Sequence, residues 1–241
     1  MARLLDWPVG LGIRARRPLS GPRSKGASGR QESIGGRYQS VASAFGYWKY
    51  EIVLPVARGR LYRRIEGLVT GLHGGANAVR VAWPVPDGLT FKEAGTAVTA
   101  TQERRGMPWQ NGKPWSNRKN WKVSPPTVAV AAPSPFDATV IQLAPQFWGH
   151  SLGPGDEIGF VPFHFGKYMI TQDQGDGIYR IWPPLRKAIT TSDLATLEPT
   201  LAMTLDNESG SDLSRNVDVG EETTLTLSEV FDYDVRTYFT D

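Results

Sequence analysis

"YWKYEIVLPVARGRLYRRIEGLVTGLHGG", residues 47–75, changes its apolar period halfway. In its first part Trp48, Tyr50, Ile52 and Leu54 alternate with Tyr47, Lys49, Glu51 and Val53. A period of two sends one side of a strand into a core and the other toward water. From about Ala57 to Leu72 the period lengthens. Leu61, Ile65, Leu68, Val69 and Leu72 make one apolar stripe of a helix, while Arg60, Arg63, Arg64 and Glu66 take other faces. The glycines of "GLHGG" then end it, with His73 as a polar residue of the cap region.

Outward from this stretch the language is that of strands. Upstream, "YQSVASAF" and "YWKYEIVL" flank Gly46 and read as a hairpin. Downstream come "NAVRVAW", "TVAVAA", "DATVIQLA", "DEIGFVPF", "KYMIT", "GIYRIW", "TLAMTL" and "TTLTLSEVF". These runs are short and β-branched or aromatic, and Gly, Pro, Asp or Asn clusters separate them. One amphipathic helix near 57–72 cannot supply the crossovers of a parallel α/β sheet. The expected fold is therefore all-β dominated, a sandwich or barrel, with a short helical turn after the prolines of "WPPLRKAI". Residues 1–36 are rich in Arg and Gly with little apolar periodicity and read as a basic extended arm. Residues 37–241 are then the β-rich body, with a projecting loop at 106–122 and an acidic lobe at 123–241.

A chain of 241 residues with 40% apolar and 21% charged residues can bury a substantial core. No cysteine is present, so neither disulfides nor thiolate chemistry enter. The start "MARLLDWPVGLGIRARR" lacks the order of a secretory signal, because Asp6 and Pro8 interrupt the apolar run and the arginines come after it. No run is long enough for a membrane-spanning helix.

The formal net charge of +3 conceals a step. Through Lys122 there are 21 Lys and Arg against 7 Asp and Glu, or +14; from Val123 on there are 6 against 17, or −11. This step admits three readings: a nucleic-acid contact by the basic half, an assembly in which basic surface meets acidic surface, or two halves that cancel within one molecule. The acidic half would repel nucleic acid, which is not an expected partner.

Catalytic patterns are weak. "GHSLG", 149–153, fits the nucleophile elbow with Ser151 as nucleophile, but an elbow needs a helix after the serine and "LGPGDEIGF" forbids one. A turn between strands is the expectation. His73, His150 and His164 are scattered and form no zinc pattern. "DQGDG", 173–177, lacks the regular oxygen ligands of a calcium loop and reads as a turn. No catalytic residue, metal or cofactor is expected, and the chain does not read as an enzyme.

"PWQNGKPWSNRKNW", 108–121, is the unusual stretch. Pro-Trp-polar-Asn occurs twice, Asn111-Gly112 is a hairpin-turn signal, and Trp109, Trp115 and Trp121 stand six apart in polar surroundings. A tryptophan offers about 150–250 Å² for burial, or about 4–6 kcal/mol, so three left in water would forgo much stabilisation. Their cover could be the protein's own body, another protein or sugar rings. Lys113, Arg118, Lys119 and Lys122 favour an acidic partner.

The order of features resembles minor tail proteins of tailed bacteriophages. The likeness is carried by Leu19-Ser20-Gly21, by Gly46-Tyr47-Trp48, by the amphipathic helix and by the doublet loop "GMPWQNGKPWSN". It continues through the "L-x-x-G-D-x-I-x-F" stretch from Leu152 to Phe160, then "YRIWPPLR" and "LAMTL". The arm here is longer and more basic than in that family, and its doublet carries Trp where Phe is common. The resemblance implies a distal-tail-like structural subunit: a homo-oligomeric ring, hexameric by that likeness, joining the tail tube to the hub and receptor-binding apparatus. Tube, hub and tape-measure proteins would be its partners, and the virion tail tip, assembled in the host cytoplasm, its location. Expected interface residues are Trp109, Lys113, Trp115, Arg118 and Trp121, with Arg14, Arg16, Arg17 and Arg23 of the arm. The alternative is a carbohydrate-binding module that stacks sugars on Trp109, Trp115 and Trp121.

Overall fold

The computed structural model describes residues 4–21, 26–32, 35–36, 38–42, 46–83, 88–144, 152–162, 164–206 and 220–230. In chain order the first strands are β1 (Leu4–Asp6), β2 (Ala15–Ser20), β3 (Gly26–Glu32), β4 (Tyr38–Ala42) and β5 (Lys49–Leu54). Helix α1 (Arg60–Gly71), strand β6 (Ala78–Ala82) and helix α2 (Ala100–Arg105) come next. Beyond them lie β7 (Thr127–Ala132), β8 (Val140–Leu143), β9 (Glu157–Val161), β10 (His164–Asp173) and β11 (Ile178–Trp182). The chain continues with β12 (Leu194–Thr196), β13 (Thr200–Leu205) and β14 (Thr223–Glu229). The fold is β-dominated, and α1 falls inside the span that the apolar stripe marks, while α2 is a second, short helix that no apolar period announces.

Two compact units divide the chain, one formed by Met1–Ala82 with Thr200–Asp241 and the other by Trp83–Pro199. The acidic half is therefore not a lobe of its own. The second unit is an insertion between β6 and β13, and its boundaries cross the charge step at 122/123. Solvated charge carries no information about which apolar faces meet, and those faces set the boundary.

The first unit holds a six-stranded sheet in the order β1-β6-β13-β14-β5-β2, in which only β1 and β6 run parallel among the described pairs. Trp48, Tyr50, Ile52 and Leu54 are all buried, as their alternation requires. Strand β5 pairs with β14 and β2, whereas β4 pairs with β3. The hairpin expected around Gly46 does not form, because β5 finds both its neighbours elsewhere in the chain. The arm is also different from the expectation: β1 and β2 are sheet strands, occupying the two edges. Strand β2, "ARRPLS", has no apolar alternation because it is an edge, where Pro and charged side chains are tolerated and discourage further pairing.

On α1 the buried residues are Tyr62, Ile65 and Leu68, with Leu72 just beyond, so the inward stripe is centred one position later than Leu61 suggests. Gly71 lies close to Leu5 of β1, where an added Cβ would stand 3.0 Å from Cδ1. His73 starts a short 3-10 turn at a positive φ of 45°, in keeping with a cap-region role.

The second unit is a closed antiparallel barrel in the order β10-β11-β8-β7-β12-β9. Its interior is filled by Val128, Val130, Ile141, Leu143, Ile158, Phe160, Tyr168, Ile170 and Ile181. Closure leaves the barrel no free edge, so six short strands suffice. Residues 183–189 form no helical turn: Ser134 and Ile189 exchange backbone hydrogen bonds, and Leu185 pairs with Asp137 and Ala138, which holds the segment extended. The short helix α2 has too few residues for an apolar period, and its start is marked instead by its cap. Thr99 and Gln102 form a reciprocal capping box, with the Gln102 N–H donating to Thr99 Oγ1 and the Thr99 N–H to Gln102 Oε1.

No helix among the described residues is long and apolar enough to cross a membrane.

Candidate functional site

The sequence repeat 108–119 folds as a structural repeat. In the first turn the Trp109 N–H donates to Lys113 O (2.9 Å), the Gly112 N–H to Trp109 O (2.8 Å) and the Lys113 N–H to Asn111 Oδ1 (3.0 Å). In the second the Trp115 N–H donates to Lys119 O (2.8 Å), the Arg118 N–H to Trp115 O (2.7 Å) and the Lys119 N–H to Asn117 Oδ1 (3.0 Å). Each asparagine side chain thus stands in for a backbone acceptor. Each turn returns the chain through one left-handed residue, Gly112 at φ 74° and Arg118 at φ 62°.

The base of the loop is clamped. Met107 and Trp121 exchange backbone hydrogen bonds at 2.8 and 2.9 Å, and Asn120 Nδ2 donates to Arg105 O at 3.1 Å. Gly106, at φ 80°, allows the clamp to close, since a Cβ there would lie 2.3 Å from Trp121 O.

Two identical turns above one clamp bring the three indoles together. Ring centroids are 5.0 Å apart for Trp109–Trp115, 5.5 Å for Trp109–Trp121 and 4.7 Å for Trp115–Trp121, with interplanar angles of 65°, 75° and 53°. Edge-to-face packing of this kind contributes about 0.5–1.5 kcal/mol per pair beyond area burial. The rings shelter one another only in part: Trp109, Trp115 and Trp121 remain 45%, 40% and 47% exposed, with Met107 beside them. The three indoles and Met107 thus form an open apolar patch on the described surface.

The surroundings are cationic. Lys113, Arg118, Lys119 and Lys122 are all exposed, the loop from Gly106 to Lys122 holds no acid, and none of the four makes an ion pair among the described residues. Where the loop joins the barrel, Lys122 and Glu103 both act on Glu198, whose proton is held more tightly than usual because burial disfavours the carboxylate.

The structure brings together Trp109, Lys113, Trp115, Arg118 and Trp121 of the expected interface. The expected arginines belong to the other unit. Arg14 is ion-paired to Glu222 and its N–H bonds Val53 O, while Arg16 and Arg17 lie on edge strand β2. Arg23 lies outside the described residues, as do Gly149, His150 and Ser151 of the elbow-like pattern. After that pattern the chain makes a turn and enters β9: Asp156 Oδ2 accepts from the Gly153 N–H at 2.8 Å. His164 is buried in the barrel, its Nε2 2.5 Å from Tyr168 Oη. The stretch 173–177 is a turn, in which the Gly175 N–H donates to Asp173 Oδ1 (2.9 Å) and the Ile178 N–H to Gly175 O. Among the described residues no group of His, Asp and Glu is arranged to hold a metal ion.

No protein-family model matches this chain, and no curated protein matches it.

Proposed function

We propose that this protein is a non-enzymatic structural subunit of a bacteriophage tail tip, a distal-tail-like protein that works by assembling with copies of itself and with neighbouring tail proteins. The observation that carries the reading is the open indole cluster on a cation-rich loop clamped rigidly at Met107 and Trp121. Such a loop is preorganised: little conformational entropy remains to be lost when a partner covers it, so most of the burial is available as binding free energy. Aromatic anchors inside a charged rim are the composition of protein interfaces. The ordering of sequence features along the chain supplies the tail assignment.

The alternative, a carbohydrate-binding module, rests on the same rings. A sugar platform presents an open aromatic face, whereas interplanar angles of 53–75° turn the edge of one indole into the face of the next. That packing favours a protein partner.

The test is direct. Purified phage particles from the host of origin should contain the protein in several copies at the tail tip, read by mass spectrometry and by a virion map. A protein absent from particles and monomeric by light scattering would end the proposal. Glycan binding that disappears in Trp109→Ala and Trp115→Ala would replace it with the alternative.

A further inference from the structure

The barrel presents two rims. One gathers the starts of β7, β9 and β11 and the ends of β8, β10 and β12, because Thr127 pairs with Thr196, Thr196 with Gly159, Glu157 with Met169, Asp173 with Tyr179 and Ile178 with Gln142. The tryptophan loop runs into β7 at this rim, and its Lys122 acts on Glu198, two residues beyond the end of β12. Two glycine-rich turns stand at the same rim, "LGPGD" at 152–156 and "DQGDGI" at 173–178.

These turns form one surface. The Gly155 N–H donates to Ile170 O and the Ile170 N–H to Asp156 O, both at 2.8 Å, which fixes the first turn beside β10 as it runs toward the second. Tyr179, buried in the barrel, lies beside both turns: the Leu152 backbone and the charges of Asp156 and Asp173 all act on its hydroxyl. The surface is acidic and bare. Asp156, Asp173 and Asp176 make no ion pair among the described residues, and neither turn contains a lysine or arginine. Pro154 and Gly155 are exposed, and Gly153, Gly155 and Gly175 have open space where a Cβ would be. An indole can lie flat on exposed glycine backbone and a proline ring, gaining dispersion contacts with no side chain to displace.

The loop offers cations around apolar rings, and these turns offer anions around an uncovered backbone and a proline. We propose that the tryptophan loop of one copy docks on the 152–156 and 173–178 turns of a second copy of this chain. The contact puts the rings in the centre and pairs Lys113, Arg118 and Lys119 with Asp156, Asp173 and Asp176 at its border, so that charge orients the encounter and ring burial holds it. It rests on reading the loop as an assembly surface and adds the identity of the acceptor. The opposite rim, where Phe136 is 66% exposed beside Asp137, is the competing acceptor, but there the acid stands in a segment bonded to Leu185, which Arg186 and Lys187 follow directly in sequence, whereas neither proposed turn contains a cation.

The chain has no cysteine, which allows a clean test. Single-cysteine variants of the full chain, Gln110→Cys at the loop tip and Asp176→Cys at the turn tip, are mixed and treated with a short bis-maleimide. The expected result is a covalent dimer joining the two different variants, suppressed by high salt and by Trp109→Ser/Trp115→Ser in the loop partner. The second arm uses Asp156→Asn/Asp173→Asn/Asp176→Asn, which keeps a side-chain oxygen for each turn, and should weaken self-association by at least tenfold in sedimentation. Cross-linking of Gln110→Cys with itself, or with Asp137→Cys in place of Asp176→Cys, would overturn the acceptor assigned to the loop. Self-association that survives the triple Asn change but not the tryptophan changes would overturn it too, while leaving the assembly reading intact. A chain that stays monomeric at all concentrations overturns the self-docking contact, and the virion test then decides the assembly reading separately.

Discussion

Arg118 occupies in the second tryptophan turn the backbone conformation that Gly112 occupies in the first, φ 62° against φ 74°. A left-handed conformation costs an ordinary side chain about 1 kcal/mol and a glycine nothing. The repeat "PWQNGK/PWSNRK" therefore carries a strained member, kept although glycine stands at the matching place six residues earlier. A guanidinium retained there at a cost to stability fits a surface selected for contact. Arg118→Gly should raise stability by up to about 1 kcal/mol, less the unfolded-state entropy that glycine adds, and weaken self-association. Thermal unfolding and sedimentation on the same preparation check both. A variant that is destabilised and associates normally would contradict the account.

Gly106 makes a sharper case. A methyl group there would meet Trp121 O at 2.3 Å, at a φ of 80°. Gly106→Ala should open the Met107–Trp121 clamp and scatter the indole cluster while the barrel, whose core the loop does not enter, keeps its melting transition. The expected readout is a red shift of tryptophan emission and loss of the indole exciton couplet in far-UV circular dichroism, with Tm lowered by only a few degrees. An unchanged spectrum would mean that the clamp does not hold the rings together.

Burial decides what the sequence makes legible. Trp48, Tyr50, Ile52 and Leu54 show their strand because one side of it is buried and the other is not. Strand β2 hides because an edge strand with exposed Arg17, Pro18 and Leu19 has no side to declare. One of the two partners of β5 is β14, at the far end of the described chain, and no local signal reports a pairing over that distance. In the loop, the repeat and the Asn111-Gly112 turn can be read directly. The convergence of the rings cannot, because it depends on Arg118 adopting a glycine-like conformation. The acidic rim is half visible: "DQGDG" reads as a turn, but only the barrel's register brings it beside "LGPGD".

Two carboxylates should give stability profiles of opposite sign. Asp206 ion-pairs with Lys49 and accepts from Ser228 Oγ at 2.8 Å, and these partners hold its pKa below the ordinary value. Its contribution is present above the unfolded carboxylate value of about 4 and is lost as pH falls through the lower folded value. Asp206→Asn should therefore cost about 0.5–1 kcal/mol at pH 7, as befits a partly exposed pair, and almost nothing near pH 2. Glu198 is raised, chiefly by burial and partly offset by Lys122, so the folded state prefers it protonated. Its ionisation opposes folding above the folded pKa and has no effect below the unfolded one. Glu198→Gln should raise Tm at pH 7, with the gain vanishing by about pH 4. Urea titrations of both variants across pH 2–8 test the signs, and parallel profiles would refute the assignment.

Within the barrel, Lys167 is 2% exposed and donates from Nζ to Glu157 Oε1 at 2.6 Å, while Nζ also stands 5.5 Å from the centroid of the Trp83 ring. The other carboxylate oxygen, Glu157 Oε2, is buried with no hydrogen-bond partner among the described residues. A buried pair satisfied on one side is held by mutual need more than by net stabilisation, because each ion has lost hydration that its partner only partly restores. Lys167→Met alone should strand the carboxylate and cost about 3–5 kcal/mol, whereas Lys167→Met with Glu157→Leu should recover most of that loss. Chemical denaturation of the two variants and of Glu157→Leu completes the cycle. A double variant as unstable as the worse single one would show instead that the ion pair itself, and not the avoidance of a lone buried charge, stabilises the barrel.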